Sequence, residues 1–394
     1  MGKIKVLRII ARLNIGGPAR HVVILTGGLD KDRYDSILVS GAVGKGEGDM
    51  SYLAEEGRIR RVFVPELGRS INPLADFIAF FKILNAIRRE KPHIVHTHTA
   101  KAGTLGRIAA IFAGVPVKIH TFHGHVFYGY FNRFATGYFL WVERMLARFT
   151  DRIIAISEGQ KEDLLYRYKI GQEGKYSVIN LGLDLEPFLH VDSKKGIFRQ
   201  RHGLDKDAIL VGLIGRLVPV KNHRMFIKVA RLIKGQIEPD IFNRVKFVIV
   251  GDGPEKPALT AYANSIGIGK SVIFTGWAHD LIEVYADIDI VALTSRNEGT
   301  PLSIIEAFAS AKPVIATDVG GVGDVAGGVG ILTARDDDDA FTKALGELIR
   351  SDEMRREMGM KGRMAVMEKF SKERLVSQTE KLYEELILEK GIKA

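Results

Sequence analysis

The sequence predicts an α/β protein built from two doubly wound parallel-sheet domains, and three observations carry that expectation. Short apolar runs rich in Val and Ile alternate with helical runs along the chain, the pattern of a parallel sheet with crossover helices. Several of these runs end in a glycine or proline turn that opens a helix, as at Gly16-Gly17-Pro18 and Gly251-Asp252-Gly253-Pro254. The 394 residues exceed what one core sustains, so two domains of about 200 residues each are expected.

Composition bounds the function. With 46% hydrophobic and 26% charged residues the chain reads as an ordinary globular protein. No apolar run is as long as a membrane span, and the opening Met-Gly-Lys-Ile-Lys is no secretory signal, so a cytoplasmic protein is expected. The absence of cysteine excludes disulfides and thiolate chemistry. The net charge of +10 is uneven: residues 1–190 hold 27 Lys plus Arg against 18 Asp plus Glu, and residues 191–394 hold 30 against 29. No acid occurs from Lys91 to Val142, a span with six of the eleven histidines. Such a field favours an anionic partner: a phosphate, a nucleic acid or an anionic membrane surface.

In chain order, Lys5 to Ala11 is an apolar strand, followed by Gly16-Gly17-Pro18 and a helix from Ala19 to Leu29. Bare amides of Gly16 and Gly17 at a strand's C-terminal end form a candidate phosphate cradle. The strands Ser36 to Ser40, Arg61 to Val64, Ile94 to Thr97, Val117 to Thr121, Arg152 to Ile156 and Tyr176 to Ile179 follow, with helices such as Pro73 to Glu90 and Thr104 to Ala113 between them. His96, His98, His120, His123 and His125 cluster at strand ends. His96 and His98 share a strand face, but no carboxylate or cysteine nearby completes a metal shell, so no metal is expected there. Lys101, at a helix start, is a candidate contact for an acceptor phosphate. From Phe127 to Arg152 the chain is aromatic and basic, including Phe127, Tyr128, Tyr130, Phe131, Phe134, Tyr138 and Trp141. Most of that should pack internally, with leaning on a membrane surface as a second role.

Asn180 to Asp184 closes the first domain, and Glu186 to Lys195 reads as a linker. The second domain opens on the strand Ile209 to Ile214, followed by Gly215-Arg216-Leu217-Val218-Pro219-Val220-Lys221-Asn222. Arg216 and Lys221 place two cations at a strand's C-terminal end, one suited to a bidentate phosphate grip. Strands Lys246 to Val250, Val272 to Thr275, Ile290 to Leu293 and Pro313 to Ala316 follow, and helical periodicity runs from Ala340 to Leu388. After Leu293 the polar run to Asn297 leads through Glu298 and Gly299 into a helix expected to start at Pro301, with Glu306 in its second turn. Two carboxylates therefore flank a helix start whose amides suit an anion or hydroxyl groups. Asp287-Ile288-Asp289 offers the D-x-D of metal-dependent sugar transferases, but precedes its strand and so faces away from the crevice.

The segment Glu298-Gly-Thr-Pro-Leu-Ser-Ile-Ile-Glu306 resembles the double-glutamate signature of retaining glycosyltransferases of family four, of the bacterial polysaccharide and glycolipid type. Gly215-Arg216 with Lys221-Asn222, Thr121-Phe122-His123-Gly124, and the order of these motifs extend the resemblance over nearly the whole chain. It implies the GT-B architecture, two Rossmann-like domains facing across a cleft. The implied domains are an acceptor domain over 1–185, a linker over 186–195, a nucleotide-sugar domain over 196–370 and a terminal helix over 371–394 returning to the first domain.

It further implies a retaining, metal-independent transferase without cofactor, moving a hexose or N-acetylhexosamine from a nucleoside-diphosphate sugar, chiefly UDP-linked. The acceptor would be lipid-linked or a saccharide, met at the inner membrane face. Arg216 and Lys221 would hold the donor diphosphate, with Gly16, Gly17, Gly299, Thr300, Pro301 and Leu302 lining the donor. Glu298 would bind sugar hydroxyls, Glu306 the ribose, and His123 would sit against the sugar. A small soluble acceptor is an alternative. A GT-B epimerase would need cleft carboxylates that the acid-free span lacks, and a polyanion-binding protein would leave the paired glutamates unexplained. No nucleic-acid module is present.

Overall fold

The computed structural model describes residues 2–44, 47–68, 70, 72–124 and 133–392. They form two units, one of residues up to Leu183 together with those from Phe370 onward, the other Asp184–Lys369. The first unit holds a seven-stranded sheet in the order β3-β2-β1-β4-β5-β6-β7. Its strands are β1 (Ile4–Arg12), β2 (Tyr34–Gly41), β3 (Arg61–Phe63), β4 (Ile94–His98), β5 (Val117–Phe122), β6 (Arg152–Ala155) and β7 (Tyr176–Val178). Every pairing is parallel. The helices between them are α1 (Gly17–Gly28), α2 (Ser51–Glu56), α3 (Pro73–Glu90), α4 (Ala100–Phe112), α5 (Arg133–Phe149) and α6 (Glu158–Glu162).

All seven expected strands occur in order. Asn72 caps α3 by accepting from the amides of Leu74 and Ala75, with Pro73 at its first position, so the helix begins where the sequence signals it. The helix α4 starts at Ala100, ahead of the expected Thr104, because Thr99 turns into the left-handed region (φ 65°) and its carbonyl accepts from the Gly103 amide at 2.7 Å. His125, Phe127, Tyr128, Tyr130 and Phe131 lie outside the described residues.

The second unit holds a six-stranded sheet, β10-β9-β8-β11-β12-β13. Its helices begin with α7 (Glu186–Leu189), α8 (Ile197–Arg201), α9 (His223–Ile233), α10 (Pro239–Arg244) and α11 (Lys256–Ser265). They continue with α12 (Leu281–Asp287), α13 (Leu302–Ala309), α14 (Val322–Ala326), α15 (Asp338–Arg350) and α16 (Asp352–Phe370). The strands are β8 (Ile209–Ile214), β9 (Val245–Val250), β10 (Val272–Gly276), β11 (Ile290–Leu293), β12 (Val314–Thr317) and β13 (Ile331–Thr333). The edge strand β13 was not expected: three residues among glycines carry too little periodicity to read. The core is apolar on both sheet faces, with Val211, Leu213, Phe226, Phe247, Ile249, Phe341 and Leu345 all fully buried.

One departure from the sequence reading concerns the connection between the units. Residues 186–195 are not a bare linker, since α7 and the 3₁₀ turn Val191–Lys194 pack into the second unit. Phe188 meets the Tyr285 ring at 5.7 Å, and Lys194 pairs with Asp280. The last helix, α17 (Lys372–Glu389), belongs to the first unit, where Leu375, Leu382, Tyr383 and Leu386 pack with Val6, Leu25, Ile119 and Ile154.

Asp287 and Asp289 are structural. Asp287 accepts from the amides of Gly196 (2.7 Å) and Arg199 (2.9 Å), and Asp289 accepts from the Leu210 amide (2.8 Å) and the Arg199 guanidinium (2.9 Å). Removing a partner from a buried ionic cluster strands the opposite charge, at a cost of about 3–5 kcal/mol. Asp287→Ala is therefore expected to lower urea-unfolding stability of the second unit by about that much. A purified variant as stable as wild type would return this D-x-D to functional consideration.

Candidate active site

In open parallel sheets, ligands sit beyond the strands' C-terminal ends where the strand order reverses. In the second unit that point lies between β8 and β11, and the two loops leaving it carry Arg216, Lys221 and Glu298. The loop after β8 is fixed by close backbone approach. A Cβ on Gly251 would stand 1.9 Å from the Gly215 carbonyl oxygen, so only glycine lets the β9 turn reach it. Leu217 anchors the loop in the core, and its tip closes as a 3₁₀ turn, Pro219–Lys221.

The loop after β11 is tied to the first. The Arg296 amide donates to the Val220 carbonyl at 2.8 Å, and the Thr294 hydroxyl donates to the Asn222 carbonyl at 3.0 Å. Across this seam the Lys221 ammonium meets Glu298 Oε1 at 2.6 Å, and the Ser295 hydroxyl donates to the same oxygen at 2.5 Å. Gly321 supports the turn from below, its amide donating to the Glu298 carbonyl at 3.1 Å. A Cβ there would stand 1.9 Å from the Gly299 carbonyl oxygen. Ser295 and the Gly320-Gly321 turn were missed by the sequence reading, because their role is contact with a loop distant in sequence.

Arg216 is exposed and, among the described residues, its guanidinium has no hydrogen-bond or ion-pair partner. It is a fork of donors held beside a lysine–glutamate pair. Pro301 is the N-cap of α13, which begins at Leu302 rather than at Pro301 as expected. The amides of Gly299, Thr300 and Leu302 lie at that helix start. Glu306 is buried at 3% exposure and accepts from the Tyr285 hydroxyl at 3.1 Å. It is thus more enclosed than a second-turn surface acid would be.

In the first unit the order reverses between β1 and β4. Gly16 caps α1 there and Gly17 begins it. Four histidines are buried in this unit, His21 on α1, His96 and His98 on β4 and His120 on β5, and a half-buried fifth, His123, lies just beyond β5. Arg8 donates to the Tyr383 hydroxyl at 2.9 Å, and His96 is hydrogen-bonded through Nδ1 to that hydroxyl at 2.6 Å and through Nε2 to Thr121 Oγ1 at 2.7 Å. His98 Nδ1 and His123 Nε2 lie 2.9 Å apart, and His21 stands edge-on to His123 with ring centroids 4.8 Å apart. His21 was not singled out from sequence, although it shares a buried helix face with Ala19, Val22 and Leu25.

Burial holds His123 down at about 3, so the ring is neutral near pH 7. His21, His96, His98 and His120 are held well below the ordinary value, first by burial and then by neighbouring cationic groups. Among the described residues, His21, His98 and His123 bring one nitrogen each within 4.8 Å, a grouping that could hold a metal ion without any carboxylate. His96, the strand-face neighbour of His98, is not part of that grouping and turns to Tyr383.

The Lys101 ammonium pairs with Asp76 and donates to the Ser70 carbonyl at 2.7 Å, ties that hold α4 to the start of α3. The basic field of residues 91–142 is also partly neutralised by acids from elsewhere, Arg107 by Glu143 at 2.7 Å and Lys118 by Asp151 at 3.2 Å.

Two Rossmann-like units with cations and paired glutamates at the strand ends define a GT-B enzyme. The comparisons give the family. The model for glycosyltransferase family 4 matches residues 15–187, and that for glycosyl transferases group 1 matches residues 194–364. A UDP-Gal:α-D-GlcNAc-diphosphoundecaprenol α-1,3-galactosyltransferase from Escherichia coli is 31% identical over 335 residues, 84% of this chain and 85% of that protein. The capsular polysaccharide glycosyltransferase CapM of Staphylococcus aureus is 29% identical, covering 82% and 84%. Among solved structures, Anabaena HepE with bound UDP superposes with a TM-score of 0.81 at 21% identity, covering 98% of this chain and 100% of that one. Sucrose-phosphate synthase of Thermosynechococcus elongatus gives 0.78 at 22%, covering 98% and 100%. The chain belongs to the group 1, family 4 glycosyltransferases and is a glycosyltransferase of the GT-B fold.

The histidines make stability depend on pH in a definite direction. Between the unfolded value near 6.5 and the depressed folded values, the unfolded chain binds more protons, so stability is full above about pH 6.5 and is lost as pH falls. Each imidazole contributes up to about 1.4 kcal/mol per pH unit. Urea unfolding at pH 7.5, 6.5 and 5.5 should show the first unit losing stability steeply, with His120→Asn flattening the slope. A pH-independent first unit would mean that these rings are not buried neutral.

Proposed function

We propose that this protein is a retaining, metal-independent glycosyltransferase that moves a hexose or N-acetylhexosamine from a UDP-sugar to a lipid-linked acceptor in polysaccharide assembly. The observation that carries the reading is the Arg216 guanidinium, without a partner among the described residues, on the same loop at the β8/β11 reversal as Lys221, which pairs with Glu298. A donor diphosphate would complete this arrangement: its oxygens bind the Arg216 fork and draw Lys221 from Glu298, freeing that carboxylate for sugar hydroxyls. Glu306, oriented by Tyr285, would take the ribose hydroxyls. The amides at the start of α13 would add fixed dipoles toward the phosphates.

Neutral His123, at the C-terminal end of the first sheet, would act as a hydrogen-bonding group rather than as a general acid. In the transfer, the bond from the anomeric carbon to the diphosphate oxygen breaks as the acceptor oxygen attacks from the same face. The acceptor proton passes to the departing phosphate oxygen, so no separate base is required. Arg216 and Lys221 would stabilise the charge that develops there. The UDP preference is supported by the donor of the Escherichia coli relative and the UDP bound in HepE.

Arg216→Ala and Lys221→Ala are each expected to weaken UDP binding about 10–100-fold by calorimetry, with binding to wild type unchanged by EDTA. Turnover of a UDP-sugar followed by NMR should give an α-linked product from an α-linked donor. UDP binding that EDTA abolishes would overturn metal independence and direct attention to His21, His98 and His123. An inverted product would overturn retention.

The membrane-facing part of the proposal rests on exposed apolar side chains of the first unit. No described helix is long and apolar enough to cross a membrane. Leu74, Phe77 and Phe81 on α3, Phe112 on α4, and Phe134, Tyr138 and Trp141 on α5 are exposed, and α3 packs on α4 and α4 on α5. Aromatic side chains on helices suit the headgroup boundary of a bilayer. Phe77→Ser with Trp141→Ser is expected to reduce sedimentation with phosphatidylglycerol vesicles by about tenfold while leaving UDP binding intact. Unchanged vesicle binding by the double variant, or none by wild type, would favour a soluble acceptor.

A further inference from the structure

At the end of the first sheet opposite to His123, where β1 and β2 begin, lies a cavity of about 510 Å³. Its walls carry Lys3, Lys5, Lys31, Arg58 and Arg60 against a single lining acid, Asp35. That acid does not balance them. Asp35 faces Arg60 at 3.5 Å, and Arg60 also takes the nearby Glu90. Among the described residues, no carboxylate pairs with Lys3, Lys5, Lys31 or Arg58. Lys3 donates to the Lys31 carbonyl at 2.7 Å and Lys5 to the Glu90 carbonyl at 3.4 Å, contacts that position the ammonium groups without neutralising them.

A second observation comes from the wall of this cavity. Thr26 and Ser36 line it, and both accept from the Arg8 guanidinium, at 3.1 and 3.0 Å. Arg8 is fully buried, and among the described residues its partners are hydroxyls alone, with Tyr383 as the third. A buried guanidinium without a counter-charge raises the positive potential of the space before it. The two hydroxyls differ in what they have left to give. Thr26 spends its proton on the Val22 carbonyl at 2.5 Å, whereas Ser36, accepting from Arg8, keeps its proton for a ligand in the cavity.

We propose that this cavity is an anion-binding site for a phosphate-bearing ligand, distinct from the residues assigned to the sugar donor. The Ser36 hydroxyl and the ammonium and guanidinium groups of Lys5, Lys31 and Arg58 bind the phosphate oxygens, with Arg8 polarising Ser36 from behind. The phosphate is carried either by a small soluble molecule or by a lipid headgroup.

Inorganic pyrophosphate titrated into the full chain by calorimetry at constant ionic strength is the test. Saturable binding is expected, weakened about tenfold or more by Lys31→Glu with Arg58→Glu and about threefold by Ser36→Ala. The exposed positions of Lys31 and Arg58 keep that double variant folded, which its unfolding temperature verifies. Arg216→Ala with Lys221→Ala should leave this binding event in place. No saturable binding, insensitivity to the Lys31 and Arg58 changes, or loss in the Arg216 and Lys221 variant would overturn the proposal. Sedimentation with phosphatidylglycerol vesicles then separates the sources. Vesicle binding lost in the Lys31→Glu, Arg58→Glu variant assigns a lipid headgroup, and vesicle binding equal to wild type assigns a soluble phosphate.

Discussion

Close backbone approach at the ends of the parallel strands is the constraint on which the candidate site depends. Where the order of a doubly wound sheet reverses, neighbouring loops diverge, and a groove exists only if each loop is held in place by something other than its own strand. In the second unit that support is glycine against carbonyl: Gly251 against Gly215, and Gly321 against Gly299. With the backbones locked, the side chains between them have few options. Lys221 and Glu298, 77 positions apart, meet at 2.6 Å because the loops beneath them cannot move apart. The ion pair is then a consequence of the fold as much as a contribution to it. Partly exposed pairs of this kind add little stability, but they hold reactive groups in register at no further cost in ordering.

The first unit answers a different problem. It buries four imidazoles and the Arg8 guanidinium without an acid beside them. Neutrality is achieved for the imidazoles by giving up their protons, and for Arg8 its charge is spread over three hydroxyls. One of those hydroxyls, from Tyr383, arrives on α17 from the far end of the chain. The C-terminal helix therefore does more than cover apolar surface. It brings the Tyr383 hydroxyl to His96 Nδ1 at 2.6 Å, two residues before the His98 that touches His123.

Much of this was legible in the sequence, and the parts that were share a physical basis. Strand and helix order follows from the alternation of Val and Ile runs with helical periodicity, a local property. Pro73 marked the start of α3, and the position of Asp287 and Asp289 ahead of β11 marked them as facing away from the strands' C-terminal ends, where they bind Arg199 and the Gly196 amide. Arg216, Lys221, Glu298 and Glu306 could be named because each lies within a few residues of a strand end or helix start. The ion pair of Lys101 was hidden for the complementary reason. Its partner Asp76 is 25 positions away, and the acid-free span from Lys91 to Val142 concealed that other segments would bring carboxylates to it.

The sequence by itself determined the class of fold, the order of its elements, the family and the short list of charged residues at strand ends, because these depend on local periodicity and on motifs a few residues long. Only the tertiary structure decided which of those groups meet. It set Lys221 on Glu298, enclosed Glu306 beneath Tyr285, added His21 to His98 and His123, and left Arg216 without a partner among the described residues. Such pairings depend on how far one backbone can approach another and on which charges burial tolerates, and neither is written in the spacing of residues along a chain.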